Sequence, residues 1–77
     1  MDNFHAHIEI NRAVMLGKPV IKGTRITIES ILDELASGYS TEQVLQAHPN
    51  LTEKDVLAAL HYASSIIRNE KIYTATS

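Results

Sequence analysis

A chain of 77 residues with a net charge of −2 and 44% apolar residues has room for one small domain, too short for the several loops from which most enzyme sites are assembled, so a conventional catalyst is not expected. The lack of cysteine excludes disulfides and thiolate metal sites, which leaves efficient helix packing or a partner, most simply a second copy, to stabilise so short a chain. No apolar run approaches the roughly 20 residues of a membrane helix, and MDNFHAHIEI has neither the basic nor the apolar region of a secretory signal, so a cytoplasmic location is expected.

The charge is polarised along the chain. Arg12, Lys18, Lys22 and Arg25 outnumber Asp2 and Glu9 in the first 25 residues, whereas Glu29, Asp33, Glu34, Glu42, Glu53, Asp55 and Glu70 outnumber Lys54, Arg68 and Lys71 in the rest. Such asymmetry marks either an interaction surface or a chance segregation in a small domain.

In chain order, HIEIN alternates apolar and polar residues and PVIKGTRIT holds β-branched residues broken by Gly23, so each predicts a short strand or extended arm. From Thr27 the period becomes helical, with Ile28, Ile31, Leu32 and Leu35 on one face, Thr27 as N-cap and Gly38 where a left-handed C-terminal residue belongs. That predicts a first helix over about residues 28–37. Ser40 followed by Gln43 is a capping box ahead of Val44, Leu45 and Ala47, and Pro49 forbids continuation, so the second helix is about two turns long. Thr52 caps a third and longest helix, with Glu53 and Asp55 at its positive dipole end and a stripe of Val56, Leu57, Leu60, Ala63 and Ile67. KIYTATS loses the pattern and reads as a fraying tail unless something holds it.

The fold expected is therefore mainly α: a three-helix, homeodomain-like helix-turn-helix bundle preceded by a short N-terminal β arm or hairpin. Residues 1–26 form the arm, residues 27–70 the helices of the same structural unit, and residues 71–77 a flexible tail.

GKPVIKGTRITIESILDELASGYSTEQVLQAHPNLTEKDVLAALHYA, residues 17–63, resembles the domain of unknown function 433 family, whose pattern runs G-K-P-x-I-x-G-T-R-I, a helix ending in G-x-S, then P-x-L-T and an A-L-x-Y-A helix. The resemblance implies a homeodomain-like three-helix fold with a small β element. It also implies, as in several members, the role of antitoxin in a VapBC-type pair, where the partner is a PIN-domain ribonuclease whose carboxylates hold Mg²⁺ and the complex can bind operator DNA. The competing readings are a free-standing helix-turn-helix regulator and a dimerising protein-interaction module.

Within this frame, Lys18, Lys22 and Arg25 on the glycine- and proline-shaped collar, with Lys54, are candidates for phosphate contacts. Arg25 has an alternative, pairing with an acid of the first helix such as Glu29. The outward positions expected on the third helix, Glu53, Lys54, Ala58, His61, Ser65 and Arg68, offer little to a base edge, so DNA binding should depend on a dimer or a complex. Arg68, Lys71, Ile72 and Tyr73 are candidates for partner binding, a cationic pair suited to a carboxylate cluster beside two apolar anchors, against the alternative of a solvated end.

No metal or other cofactor is expected. His5 and His7 alternate along a predicted strand but make an incomplete donor set, His48 is placed to bond the last carbonyls of the second helix, and His61 reads as a surface or interface residue. Tyr39, Tyr62 and Tyr73 suit core edges or interface anchors as well as base stacking. The arm carries Phe4, Ile8, Ile10, Val14, Met15 and Leu16, more apolar surface than three short helices readily cover, so a homodimer is expected.

Overall fold

Two adjacent β-branched residues, Val20 and Ile21, form a strand whose side chains are buried on both faces, and the remaining elements are arranged around it. The computed structural model describes residues 4–76, with side chains described for residues 4–68. Strand β1 (Ile8–Glu9) pairs antiparallel with β2 (Val20–Ile21), placing Ile8 opposite Ile21 and Glu9 opposite Val20. On its other edge β2 bonds the segment that enters the first helix: Val20 bridges Thr27, Ile21 N–H donates to Ile26 C=O at 3.0 Å, and Ile28 N–H donates to Pro19 C=O at 3.0 Å.

Three helices follow: α1 (Ile28–Ala36), α2 (Thr41–Ala47) and α3 (Glu53–Thr76). Thr27 caps α1 by accepting from Ser30 N–H at 3.0 Å. At the other end Gly38 has φ of +104°, and the bonds from Gly38 N–H to Leu35 C=O and from Tyr39 N–H to Glu34 C=O, both 3.1 Å, form a Schellman motif. The capping box of α2 is complete, with Ser40 N–H on Gln43 Oε1 at 2.8 Å and Gln43 N–H on Ser40 Oγ at 3.1 Å. Thr52 and Asp55 cap α3 reciprocally, at 3.0 and 3.3 Å. The helix continues past the expected end near residue 70 to Thr76, and neither glycine nor proline interrupts it after its start.

The core brings Ile21 together with Ile28 and Ile31 of α1, Val44 of α2, Leu51 of the α2–α3 turn, and Val56 and Ala59 of α3. Two expectations are corrected here. The N-terminal strand is shorter than HIEIN predicts, because Phe4–His7 coils into a 3-10 turn that packs on α3, so His5 and His7 do not lie on one side of a strand. The buried face of α3 is also rotated from the expected stripe: Ala58, expected outward, is buried, while Leu57, Leu60 and Ile67 are exposed. Ala58 lies one turn before His61, whose ring stacks on Phe4 with centroids 5.7 Å apart, so the N-terminal turn covers that side of the helix. Ser65 is half-buried rather than exposed.

Ile31 has no exposed surface and sits at the centre of this core, so Ile31→Ala should cost about 3 kcal/mol through reduced burial and the cavity left behind. Chemical unfolding followed by circular dichroism checks this, with the slope unchanged and the midpoint lowered.

Candidate functional site

The collar between β2 and α1 is a tight turn with a defined shape. Gly23 takes φ of +81°, a value that other residues adopt only with strain, and Thr24 closes the turn by donating from both its amide (3.0 Å) and its hydroxyl (2.7 Å) to Ile21 C=O. The same hydroxyl oxygen accepts from Ile26 N–H at 3.0 Å. The turn therefore holds Lys22 and Arg25 at its exposed tip.

The four basic candidates are divided between two places. Lys22 N–H donates to His7 C=O at 2.8 Å, and the His7 ring meets Asp55 in the first turn of α3 at 2.8 Å, which links the collar to the end of the helix that carries the exposed Lys54. Lys18 instead reaches α1, its ammonium 3.3 Å from the Glu29 carboxylate. Both partners are well exposed, so this pair contributes at most about 1 kcal/mol. Glu29 is thus taken by Lys18 rather than Arg25, and among the described residues Arg25 meets no carboxylate within 4.0 Å.

Two imidazole–carboxylate contacts fix the helices. His7–Asp55 ties the N-terminal turn to α3, and His48 Nε2 lies 2.9 Å from Glu34 Oε2, tying the α2–α3 turn to α1. The second contact corrects the expectation that His48 caps its own helix: the imidazole crosses to α1 instead. Burial raises the Asp55 carboxyl, but the bonds from Thr52 and His7 outweigh it and hold the group below its ordinary value of 3.8. Among the described residues no three His, Asp or Glu side chains cluster as a metal site would require, and no helix is long and apolar enough to cross a membrane.

The exposed apolar residues were harder to anticipate. Leu57 (47% exposed), Leu60 (42%) and Ile67 (61%), with Ser64 between them, fall at spacings of three, four and three along α3, the pattern of a helix-packing seam. The signal present in the sequence is that α3 is apolar at nearly every position from Val56 to Ala63, more than one face needs. Beside it, between α1 and α3, runs a cleft of about 340 Å³ whose walls include Pro19, Ile28, Leu32, Tyr62, Ala63, Ile66 and Ile67, with Glu29 and Asp33 among its lining residues. At the exposed end of the seam Arg68 hydrogen-bonds Ser64 Oγ of its own helix at 3.2 Å. The side chains of Lys71, Ile72 and Tyr73 lie outside the described residues.

The family described as "Protein of unknown function (DUF433)" matches residues 8–63, which takes in both strands, α1, α2 and the first half of α3. This chain belongs to the DUF433 family. The uncharacterized protein y4eO of Sinorhizobium fredii (strain NBRC 101917 / NGR234) is 32% identical over 59 residues, 75% of this chain. This chain spans only 27% of that protein's length. The crystal structure at 2.00 Å resolution of a DUF433 member from Anabaena variabilis ATCC 29413 is 28% identical, with a TM-score of 0.76 over 90% of this chain and 68% of that one. The three-helix bundle with its N-terminal hairpin is therefore a shape this chain shares with a solved member of its family.

Asp55 gives the site a pH dependence with a defined sign. Its folded value is depressed, so the stability it contributes is present above about pH 3.8 and is lost as the pH falls through the lower folded value. Acid unfolding followed by circular dichroism should be shallower below that pH in Asp55→Asn, which is also less stable at neutral pH because the cap and the His7 contact weaken.

Proposed function

We propose that this chain is an antitoxin-like binding protein, not an enzyme, that binds and inhibits a PIN-domain ribonuclease and contacts operator DNA through its basic collar. The observation that carries the protein-binding half is the exposed row Leu57, Leu60 and Ile67 on α3. In a helix-turn-helix domain the exposed face of this helix is the one that would enter the major groove, where base edges call for Arg, Lys, Asn or Gln. Leucine there can meet little beyond a thymine methyl group. The same row suits a helix laid into an apolar groove of another protein. Arg68, exposed at the end of the row, has a cation to set against the carboxylates of a nuclease site.

The second reading, nucleic-acid binding, draws on the collar. Lys22, Arg25 and Lys54 are exposed, and the first and last are linked through His7 and Asp55. Their contacts would go to phosphates, which position a protein on a duplex without reading its sequence.

Two experiments separate these readings. Leu57→Glu with Leu60→Glu should abolish co-purification with a PIN-type nuclease expressed from the neighbouring gene and release its ribonuclease activity, while the circular dichroism of the free chain is unchanged. Retained inhibition by a folded double variant would overturn the partner reading. For DNA, replacing Lys22, Arg25 and Lys54 with glutamine should weaken binding to all duplexes alike and flatten the slope of log affinity against log salt by about 0.9 for each phosphate no longer neutralised. An unchanged slope would leave the collar a purely structural turn.

A further inference from the structure

Met15, Leu16 and Gly17 occupy the left-handed backbone region in succession, with φ of 49°, 58° and 85°. Glycine adopts that conformation freely, whereas methionine and leucine do so against a steric penalty that the surroundings must offset. The turn is closed by two backbone bonds, Gly17 N–H to Val14 C=O and Lys18 N–H to Met15 C=O, both at 3.1 Å, and the exposed Lys18 side chain adds a weak surface pair with Glu29 of α1. What this strained, fastened turn presents is a leucine 93% exposed. Such an arrangement contributes nothing to the core of the single chain.

The apolar cleft between α1 and α3 begins three residues further on, because Pro19 lines it. Three peptide units span at most about 11 Å between α-carbons, so the backbone of Leu16 lies within that distance of Pro19 at the cleft. Ile28, Leu32, Tyr62, Ile66 and Ile67 line the cleft with few polar groups to orient a small molecule, unlike a metabolite site, where several converge. The charges beside the two features are opposite. The Arg12 stem lies against Gly17, next to Leu16, where a Cβ on the glycine would stand 3.8 Å from Arg12 Cγ. Asp33 lies in the cleft lining, exposed and with no ion pair among the described residues.

From this we infer that the chain forms a two-fold dimer in which Leu16 of each copy enters the α1–α3 cleft of the other, with Arg12 of one copy facing Asp33 of its partner. An exposed apolar projection and an apolar recess a few residues apart on the same chain are what an isologous contact needs, since each copy then supplies both halves. Opposite charges next to the projection and the recess favour a second copy over an unrelated apolar segment. The inference goes beyond the nuclease-binding reading: it shares Ile67 with the exposed α3 row but needs neither Leu57 nor Leu60.

The test uses the full chain. Sedimentation at micromolar concentration should show a dimer, and Leu16→Gly should weaken association by about 30-fold or more, as removal of an interface anchor does. Because the same substitution relieves the backbone at φ of 58°, the dissociated variant should melt higher than the dissociated parent, whereas a leucine needed for packing within one chain would give a lower melting temperature. The chain has no cysteine, so mixing the single variants Leu16→Cys and Ile67→Cys should yield a disulfide-linked heterodimer that exceeds the product of either alone. Arg12→Asp and Asp33→Arg should each weaken the dimer and together restore it. A parent chain that stays monomeric, a dimer undiminished by Leu16→Gly, or no heterodimer on mixing would each overturn the inference.

Discussion

The pairing of β2 on both of its edges is the constraint on which the rest of the structure depends. A two-residue strand has almost no stability of its own. It persists here because β1 satisfies one edge, the Ile26–Ile28 segment satisfies the other, and Val20 and Ile21 are both buried. Since Ile28 is also the first residue of α1, the hairpin and the first helix are fixed by the same hydrogen bonds. The shape of the basic collar follows from that junction: Gly23 and Thr24 form the turn that lets the chain fold back, and Lys22 and Arg25 are carried at its tip.

Helix α3 bears the opposite burden, serving two surfaces at once. Val56 and Ala59 complete the core, while Phe4 and His7 of the N-terminal turn cover a second side through His61 and Asp55. Leu57, Leu60 and Ile67 are left toward solvent on a third. A domain of 77 residues buries a modest core, and a helix with apolar residues beyond what that core can cover is suited to a partner. The His7–Asp55 contact binds α3 to the N-terminal turn and helps decide which of its apolar residues face outward.

Local signals marked the starts of all three helices and the ends of α1 and α2. Thr27, Gly38, the Ser40–Gln43 box and Thr52 each act through a hydrogen bond to a neighbouring backbone group, so their effect is written into a few adjacent positions. The phase of α3 was not local. With apolar residues at 56, 57, 59, 60 and 63, two overlapping stripes satisfy the same helical period, and the docking of α1, α2 and the N-terminal turn on the helix selects between them. Arg25 and Lys18 pose the same difficulty for the collar, because both are bases within reach of Glu29 along the chain and their reach in space depends on how the turn is twisted.

By itself the sequence determined three helices, their caps, the β-branched segment ahead of them and the basic, glycine-shaped turn that joins the two, because these follow from interactions between residues a few positions apart. Tertiary structure alone decided that His48 meets Glu34, that His7 meets Asp55, that Leu57 and Leu60 stay exposed while Ala58 is buried, and that Met15 and Leu16 are held left-handed. Each of those outcomes rests on contacts between distant segments or on backbone strain offset by them, and no spacing along the chain encodes which of several chemically equivalent partners arrives first in space.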